Sequence, residues 1–198
     1  MDIIFATGNK GKLKEVKAIF QDTSHNILSL KELTDVPEIV EDGITFEENA
    51  RIKAVTIYDL FRLPVIADDS GLAVDQLQGA PGVYSARYAG ENATDLDNNN
   101  KLLEELKKFP EPHSARFICC AVYFDGCTYL KAFGEVPGTI ISEPKGEHGF
   151  GYDPLFLPEG YTKTMAEISP DEKNKISHRA KAFNLLKDIM RRDGKYET

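Results

Sequence analysis

Two adjacent carboxylates directly after a short apolar run constrain this chain more than any other feature. Pro64 ends a helical stretch, and Val65 to Ala67 are typical of a buried strand. Asp68 and Asp69 follow, and we expect the chain to turn there so that both acids reach one cleft. Neighbouring anions are costly without a cation, and a hard divalent metal prefers oxygen ligands. The pair therefore indicates a metal site, or alternatively one capping acid and one solvated acid.

The bulk composition narrows the class of protein. The 198 residues suit a single domain, 1–198, or one two-lobed unit, and 41% hydrophobic with 28% charged residues allow a packed core. A net charge of −8 argues against broad binding to nucleic acid or to an anionic membrane. The three cysteines lack metal-site spacing, and there is no signal peptide or long apolar run. These features predict a cytoplasmic, soluble protein.

The N-terminal segment has the pattern of a phosphate-binding turn. A short strand, Ile3 to Ala6, is followed by a glycine-containing loop, and apolar spacing predicts a helix over Lys12 to Phe20. Backbone N–H groups at a helix start attract anions, and lysines add charge. The loop is too short for a Walker motif, and Leu13 stands where Ser or Thr belongs. A plain strand-to-helix turn remains the alternative.

A second helix follows an acidic loop, Glu38 to Gly43. Thr45 and Glu48 form a capping-box pattern that predicts where this helix begins. Asn49 and Lys53 are four residues apart and therefore lie on one side of it. Lys53 is either a solvated lysine or a group that reaches a phosphate.

The remainder of the chain adds further predicted elements. A helix begins near Thr94. Ala115 to Phe124 and Cys127 to Glu135 are predicted as hairpin strands around an Asp-Gly turn, with another strand near Thr139 to Ile141. The last helix begins at Ser177.

Two C-terminal motifs carry candidate binding residues. Gly149 to Pro154 places two aromatics and an acid among glycines, which is either an ordinary turn or a surface on which a base stacks. His178 and Arg179 are cations at a helix start, where the dipole disfavours them. A bound ligand would make that arrangement tolerable, whereas a surface pair is the alternative.

Taken together, these stretches resemble a known family, the inosine triphosphate pyrophosphatases, or Ham1-like non-canonical purine NTP pyrophosphatases. The resemblance spans nearly the whole chain and is carried by Thr7-Gly8-Asn9 with Lys12, Glu41 before Thr45-Phe46 and Asn49-Ala50, Ala67-Asp68-Asp69-Ser70-Gly71-Leu72, Gly79-Ala80-Pro81-Gly82 with Ser85-Ala86-Arg87, Phe150-Gly151-Tyr152-Asp153-Pro154, and Ser177-His178-Arg179.

The resemblance implies a fold, an activity and an assembly. The fold would be a two-lobed α/β protein, with a central, strongly twisted mixed sheet flanked by helices and a long substrate cleft between the lobes. Members of the family are usually homodimers that use Mg²⁺. They hydrolyse ITP, dITP and XTP to the monophosphate and pyrophosphate, which removes deaminated purines from the nucleotide pool.

The chemistry of that reaction assigns roles to the candidate residues, since attack at the α-phosphorus needs neutralised phosphates and a positioned water. Asp69 is the candidate general base, and Mg²⁺ would be held by Glu41, Asp68 and Asp69. The candidate phosphate-binding residues are Thr7, Gly8, Asn9, Lys10, Gly11, Lys12, Lys53 and Ser70. The candidate base-binding residues are Phe150, Gly151, Tyr152, Asp153, Lys173, His178 and Arg179.

Three other classes compete with this interpretation. A phosphomonoesterase of the haloacid dehalogenase type needs acids separated by one residue, whereas Asp68 and Asp69 are adjacent. A Maf-like pyrophosphatase would act on other nucleotides. A non-catalytic nucleotide sensor is also compatible with the sequence, because a fold does not determine a function.

Overall fold

The computed structural model describes residues 1–195 and consists of helices around one mixed sheet. Its strands are β1 (Asp2–Phe5), β2 (Asn26–Ser29), β3 (Val65–Val74), β4 (His113–Phe124), β5 (Tyr129–Ile140) and β6 (Phe156–Pro158). Its α-helices are α1 (Lys10–Ile19), α2 (Phe46–Phe61), α3 (Asp95–Leu106), α4 (Pro170–Ile176) and α5 (His178–Arg192). The strand order is β2-β1-β3-β4-β5-β6, in which β1 is parallel to β2 and β3, and β5 is antiparallel to β6. The predicted α/β class with a mixed sheet is confirmed.

The chain divides into two compact units. Among the described residues, the first comprises Met1–Asp69, Cys119–Gly134 and 178–195, and the second comprises Ser70–Ile118 and Glu135–Ser177. Strands β3, β4 and β5 each contribute residues to both units.

The first unit has two apolar clusters. Ile66 belongs to a cluster with Phe183 of α5, whereas its neighbour Ala67 belongs to a cluster with Ile57 of α2. Because successive side chains of a strand point to opposite faces, β3 is covered on both sides. This explains why the strand begins with a continuous apolar run, Val65 to Ala67, that does not alternate with polar residues.

The second unit has a core of its own. Leu72 of β3, Leu102 of α3 and Phe117 of β4 pack in one cluster with Phe156 of β6. The ring centroids of Phe117 and Phe156 are 4.5 Å apart. Strand β6 was not predicted, because three residues are too few to show a period.

The predicted capping box begins α2. The Glu48 N–H donates to Thr45 Oγ1 at 3.1 Å, and the Thr45 N–H donates to Glu48 Oε2 at 3.1 Å. Helix α1 begins two residues before the predicted start, because Asn9 caps it. No helix within residues 1–195 combines the length and the apolar character needed to cross a membrane.

The predicted turn at Asp68 and Asp69 is wrong. Strand β3 runs without interruption from Val65 to Val74, so the two acids lie inside the strand. Asp, Ser and Gly favour turns locally, but β3 lies between β1 and β4 in the sheet, where neighbouring strands provide backbone partners.

The predicted break between two strands near residue 138 is also wrong, since β5 continues from Tyr129 to Ile140. Gly138 allows the close approach of β6, because a Cβ there would lie 2.4 Å from the Leu157 carbonyl oxygen.

Candidate active site

Asp68 lies in a buried ion-pair network with helices α1 and α5. Its Oδ2 is 3.1 Å from Lys12 Nζ and accepts a hydrogen bond from Arg179 Nε at 3.2 Å. Arg179 is only 1% exposed, and its NH1 donates to Glu15 Oε2 at 2.6 Å. Burial by itself raises the pKa of Asp68, but the charges of Lys12, Arg179 and Lys53 outweigh it and hold the pKa well below its usual range. Asp68 is therefore a firmly ionised carboxylate.

Asp69 faces helix α2 and has a different environment. Its Oδ2 accepts a hydrogen bond from Asn49 Nδ2 at 3.0 Å, and its Oδ1 is 3.8 Å from Lys53 Nζ. Burial raises the pKa of Asp69, against the lowering effects of the Lys53 and Lys12 charges and of the Asn49 hydrogen bond. Asp69 thus holds a proton more readily than an ordinary aspartate. It is buried, with 8% of its surface exposed.

Helix α2 also holds the acidic loop. Lys53 Nζ donates to Glu41 Oε2 at 2.6 Å, and Asn49 Oδ1 accepts from the Gly43 N–H at 2.8 Å. Since the Asn49 oxygen is taken by the loop, its amide nitrogen faces Asp69. The sequence placed Asn49 beside Lys53 but assigned it no role, and its four-residue spacing from Lys53 was the available signal.

In the N-terminal loop, side-chain oxygens of the loop itself accept hydrogen bonds from some of its backbone N–H groups. Asn9 Oδ1 accepts hydrogen bonds from the Gly11 and Lys12 N–H groups at 2.8 and 3.0 Å, and Thr7 Oγ1 accepts from the Asn9 N–H at 3.2 Å. These are donors that the sequence analysis expected at a phosphate. Gly8, Asn9 and Lys10 are exposed, so the loop faces solvent at the start of α1.

The three acids predicted to hold Mg²⁺ have basic or amide partners in this structure. Within residues 1–195, no three His, Cys, Asp or Glu side chains form a group that could hold a metal ion. The donor chemistry nevertheless fits a hard cation, because all three groups offer carboxylate oxygens. In addition, Asp68 Oδ1 is buried and has no hydrogen-bond partner among the described residues. The ligand set of Glu41, Asp68 and Asp69 stays a prediction.

The second unit brings together most of the predicted base-binding residues. Lys173 Nζ donates to Asp153 Oδ2 at 2.6 Å and lies 4.7 Å from the centroid of the Phe150 ring. The same Asp153 oxygen accepts from the Phe150 N–H at 2.9 Å, and both Lys173 and Asp153 are buried. Tyr152 is buried beside them and donates its hydroxyl to the Ser85 carbonyl at 2.9 Å. An aromatic ring is thus held next to a buried cation, which suits a planar ligand with acceptor atoms.

Arg179 has partners that the sequence analysis did not predict. It was expected to donate to the base beside Lys173 and His178, whereas its guanidinium pairs with Asp68 and Glu15 of the first unit. Lys173 belongs to the second unit. Glu15 was missed because an acid among the lysines of α1 is an ordinary surface pattern.

His178 is buried at the start of α5, and Ser70 lies within β3, so their predicted roles stay predictions.

Comparisons with known proteins agree with this architecture. Residues 3–189 match the model of the Ham1 family. The dITP/XTP pyrophosphatase of Geobacter sulfurreducens is 50% identical over 188 residues, covering 94% of each chain. That of Bacillus licheniformis is 51% identical over 191 residues, covering 96% of this chain and 97% of its own. The solved structure of a HAM1 protein from Coxiella burnetii has a TM-score of 0.89 at 40% identity, covering 97% of this chain and 99% of that one. With a family match over almost its full length and half of its residues identical to those relatives, the chain belongs to the Ham1 family.

Proposed function

We propose that this protein is a nucleoside-triphosphate pyrophosphatase that hydrolyses the non-canonical purine nucleotides ITP, dITP and XTP to the monophosphate and pyrophosphate. The observation that carries the proposal is one buried strand with two adjacent acids, each paired with a lysine on its own face. The names of the relatives from Geobacter sulfurreducens and Bacillus licheniformis, both dITP/XTP pyrophosphatases, support the substrate class.

In the proposed reaction, Asp69 is the general base. A water oxygen attacks the α-phosphorus, its proton passes to an Asp69 oxygen, and the bond from the α-phosphorus to the bridging oxygen breaks so that pyrophosphate leaves. Burial together with the raised pKa makes Asp69 a better proton acceptor than the more acidic Asp68. Asn49 fixes the Asp69 carboxylate through its hydrogen bond.

The lysines of the two faces provide charge for the triphosphate. Lys12 and Lys53 lie within 4 Å of the two acids, and we assign phosphate oxygens to them when substrate binds. Thr7, Asn9, Lys10 and Ser70 are assigned to the same phosphates. Mg²⁺, when bound by Glu41, Asp68 and Asp69, would supply charge neutralisation and a more acidic water.

For the base we assign Phe150 as the stacking ring and Lys173 as the donor to an oxygen of the purine. Lys173 is donor-only, so it favours a six-position carbonyl over the amino group of adenine. A site that requires a ligand's hydrogen bond discriminates by up to about 10⁴–10⁵-fold, because an unpaired buried polar group is costly. We therefore expect ITP and XTP to be good substrates and ATP the poorest. Guanine shares the six-position carbonyl, so we expect GTP to be poor because its two-amino group meets crowding or lacks an acceptor.

The assembly and compartment are part of the same proposal. We propose a twofold homodimer through the segment Ala80 to Tyr88, where Tyr84 is 53% exposed and stacks against Arg87, whose Cζ is 5.4 Å from its ring centroid. Sedimentation at micromolar concentration would then show a species of twice 22.1 kDa. Cys119, Cys120 and Cys127 are free thiols, which suits the cytoplasm.

Product analysis tests the proposal directly. With Mg²⁺, ITP gives IMP and pyrophosphate in one step on chromatography, and kcat/KM for ITP exceeds that for ATP. Inosine diphosphate and orthophosphate as the first products would contradict attack at the α-phosphorus. Equal kcat/KM for ITP and ATP would contradict the assignment to non-canonical purines, and ITP binding without turnover would indicate a sensor.

A further inference from the structure

Helix α3 holds the loop that carries Phe150. Asp95 Oδ2 accepts a hydrogen bond from the Gly151 N–H at 2.7 Å, and Asn99 Nδ2 donates to the Gly151 carbonyl at 3.1 Å. One loop residue is thus held at both of its backbone polar groups by side chains one turn apart on a single helix. Neither side chain belongs to a motif that the sequence predicts to bind substrate or metal.

The loop needs such outside contacts because its backbone is permissive. Gly149 and Gly151 flank Phe150 and have φ angles of +80° and +63°. Glycine has more conformational freedom than any other residue, so two of them leave the position of the intervening ring weakly determined. Inside the loop, the Phe150 N–H donates to Asp153. The contacts with α3 connect this turn to a second helix, besides the bond from Lys173 of α4 to Asp153.

Asn99 is buried and makes one hydrogen bond with its side-chain nitrogen, to the Gly151 carbonyl. Its Oδ1 is buried and has no hydrogen-bond partner among the described residues. The neighbouring Asn98 differs, since its Nδ2 donates to the Ala86 carbonyl and its Oδ1 accepts from the Ala89 N–H. A buried amide with one unpaired end is costly, and the donated bond to Gly151 is the compensation that the structure provides.

We propose that Asp95 and Asn99 are positioning residues that set base selectivity by holding Gly151, and through it Phe150, against the purine. This inference rests on the proposed function, in which Phe150 and Lys173 bind the base. Lys173 contacts both the Phe150 ring and Asp153, so a shift of the loop moves the ring relative to the cation. A misplacement of about 1 Å costs on the order of 100-fold in well-ordered sites. The triphosphate and the general base belong to other residues, so the effect is specific to the base.

The test uses Asn99→Asp with Asn100→Asp as its matched control. Asn99→Asp keeps the side-chain shape but replaces the donor with an acceptor, which repels the Gly151 carbonyl. Asn100 is exposed on the same helix, and its substitution makes the same change of charge. We expect kcat/KM for ITP to fall about tenfold in Asn99→Asp, mainly through KM, as for one lost hydrogen bond. The value for ATP should change little, so the ratio of ITP to ATP falls, whereas Asn100→Asp keeps the wild-type ratio.

A second pair of variants keeps the inference testable if Asn99→Asp does not fold, as judged by circular dichroism. Asp95 is exposed, Asp95→Ala removes the acceptor for the Gly151 N–H, and Asp95→Asn retains one. We expect the ratio to fall in Asp95→Ala and to return towards wild type in Asp95→Asn. An equal loss for ITP and ATP, or an unchanged ratio in Asp95→Ala, overturns the positioning role while the proposed function stands. Failure of the wild-type protein to convert ITP to IMP and pyrophosphate overturns both.

Discussion

Asp68 and Asp69 are neighbours in one strand, yet the two faces of β3 surround them with different groups. On one face, Lys12 and Arg179 hold Asp68 as an anion whose pKa is well below its usual range. On the other, burial raises the pKa of Asp69, and the Asn49 hydrogen bond and the more distant Lys53 charge lower it too little to reverse the shift. Since the two residues are chemically identical, the difference comes from the burial and the charges that the fold places around each of them. Groups whose pKa values are pushed apart in this way are typical of an ionised group beside a proton acceptor.

The largest expected effect is on turnover when the Asp69 face is changed. Asp69→Asn keeps the shape and removes the negative charge and the proton acceptor. We expect kcat/KM for ITP to fall by about 10²–10⁴-fold, the usual contribution of a general base. Asp75→Asn is the matched control, because Asp75 directly follows the same strand and is exposed. If Asp69→Asn keeps most of its turnover at saturating Mg²⁺, the proton acceptor is another residue, with Asp68 the first to test.

The next effect is on stability when the Asp68 face is changed. Arg179→Ala removes the buried guanidinium that pairs with Asp68 and Glu15, and breaking such a pair typically costs about 3–5 kcal/mol. We expect the free energy of unfolding in urea at pH 7 to fall by that amount. Arg191→Ala, which removes an exposed arginine of the same helix, should change it by less than about 1 kcal/mol. Similar values for the two variants would mean that the network does not stabilise the fold.

The same variant also distinguishes two roles of Arg179. If Arg179 reads the base, the ratio of kcat/KM for ITP to that for ATP falls in Arg179→Ala. If Arg179 only holds Asp68 and Glu15 in place, kcat/KM falls for ITP and for ATP alike, and their ratio is kept. We expect the second result, because the guanidinium contacts Asp68 and Glu15.

The smallest expected effect is on the pH dependence of the free energy of unfolding. It compares the two faces of β3 most directly. The pKa of Asp68 is lower in the folded than in the unfolded protein, so unfolding in acid takes up a proton. Asp68 therefore stabilises the fold at pH values above its unfolded pKa of about 3.9. This contribution is lost as the pH falls from there towards the folded pKa. Asp69 has the opposite sign: its raised pKa disfavours the fold as pH rises from about 3.9 through the folded value.

Urea unfolding of the variants between pH 3 and pH 6 measures both contributions. Below pH 3.9, stability should rise with pH less steeply in Asp68→Asn than in wild type, by up to about 1.4 kcal/mol per pH unit. Just above pH 3.9, Asp69→Asn should show a steeper rise than wild type. Identical slopes in the two variants would mean that the faces do not differ in the way described.

The sequence predicted local structure well wherever neighbours along the chain decide it. The capping pair Thr45 and Glu48, the helix that begins near Thr94 and the strand at the N-terminus were all found, because caps and apolar periods depend on nearby residues. It failed at Asp68 to Gly71, where local turn preference opposed a place in the middle of a sheet. There the hydrogen bonds of adjacent strands outweighed the preference of the residues themselves.

By itself the sequence determined most of the helices and strands in their order, the family, and the set of acids, lysines and aromatics available for chemistry. Only the tertiary structure decided which of them meet. Glu15 and Arg179 are 164 residues apart and share a hydrogen bond, and Asp95 and Gly151 are 56 residues apart and share another. A pKa or a loop position depends on burial and on charges that the fold brings together, and these long-range contacts leave no periodic signal in the chain. For that reason two adjacent aspartates, indistinguishable in the sequence, have pKa values shifted in opposite directions in the folded protein.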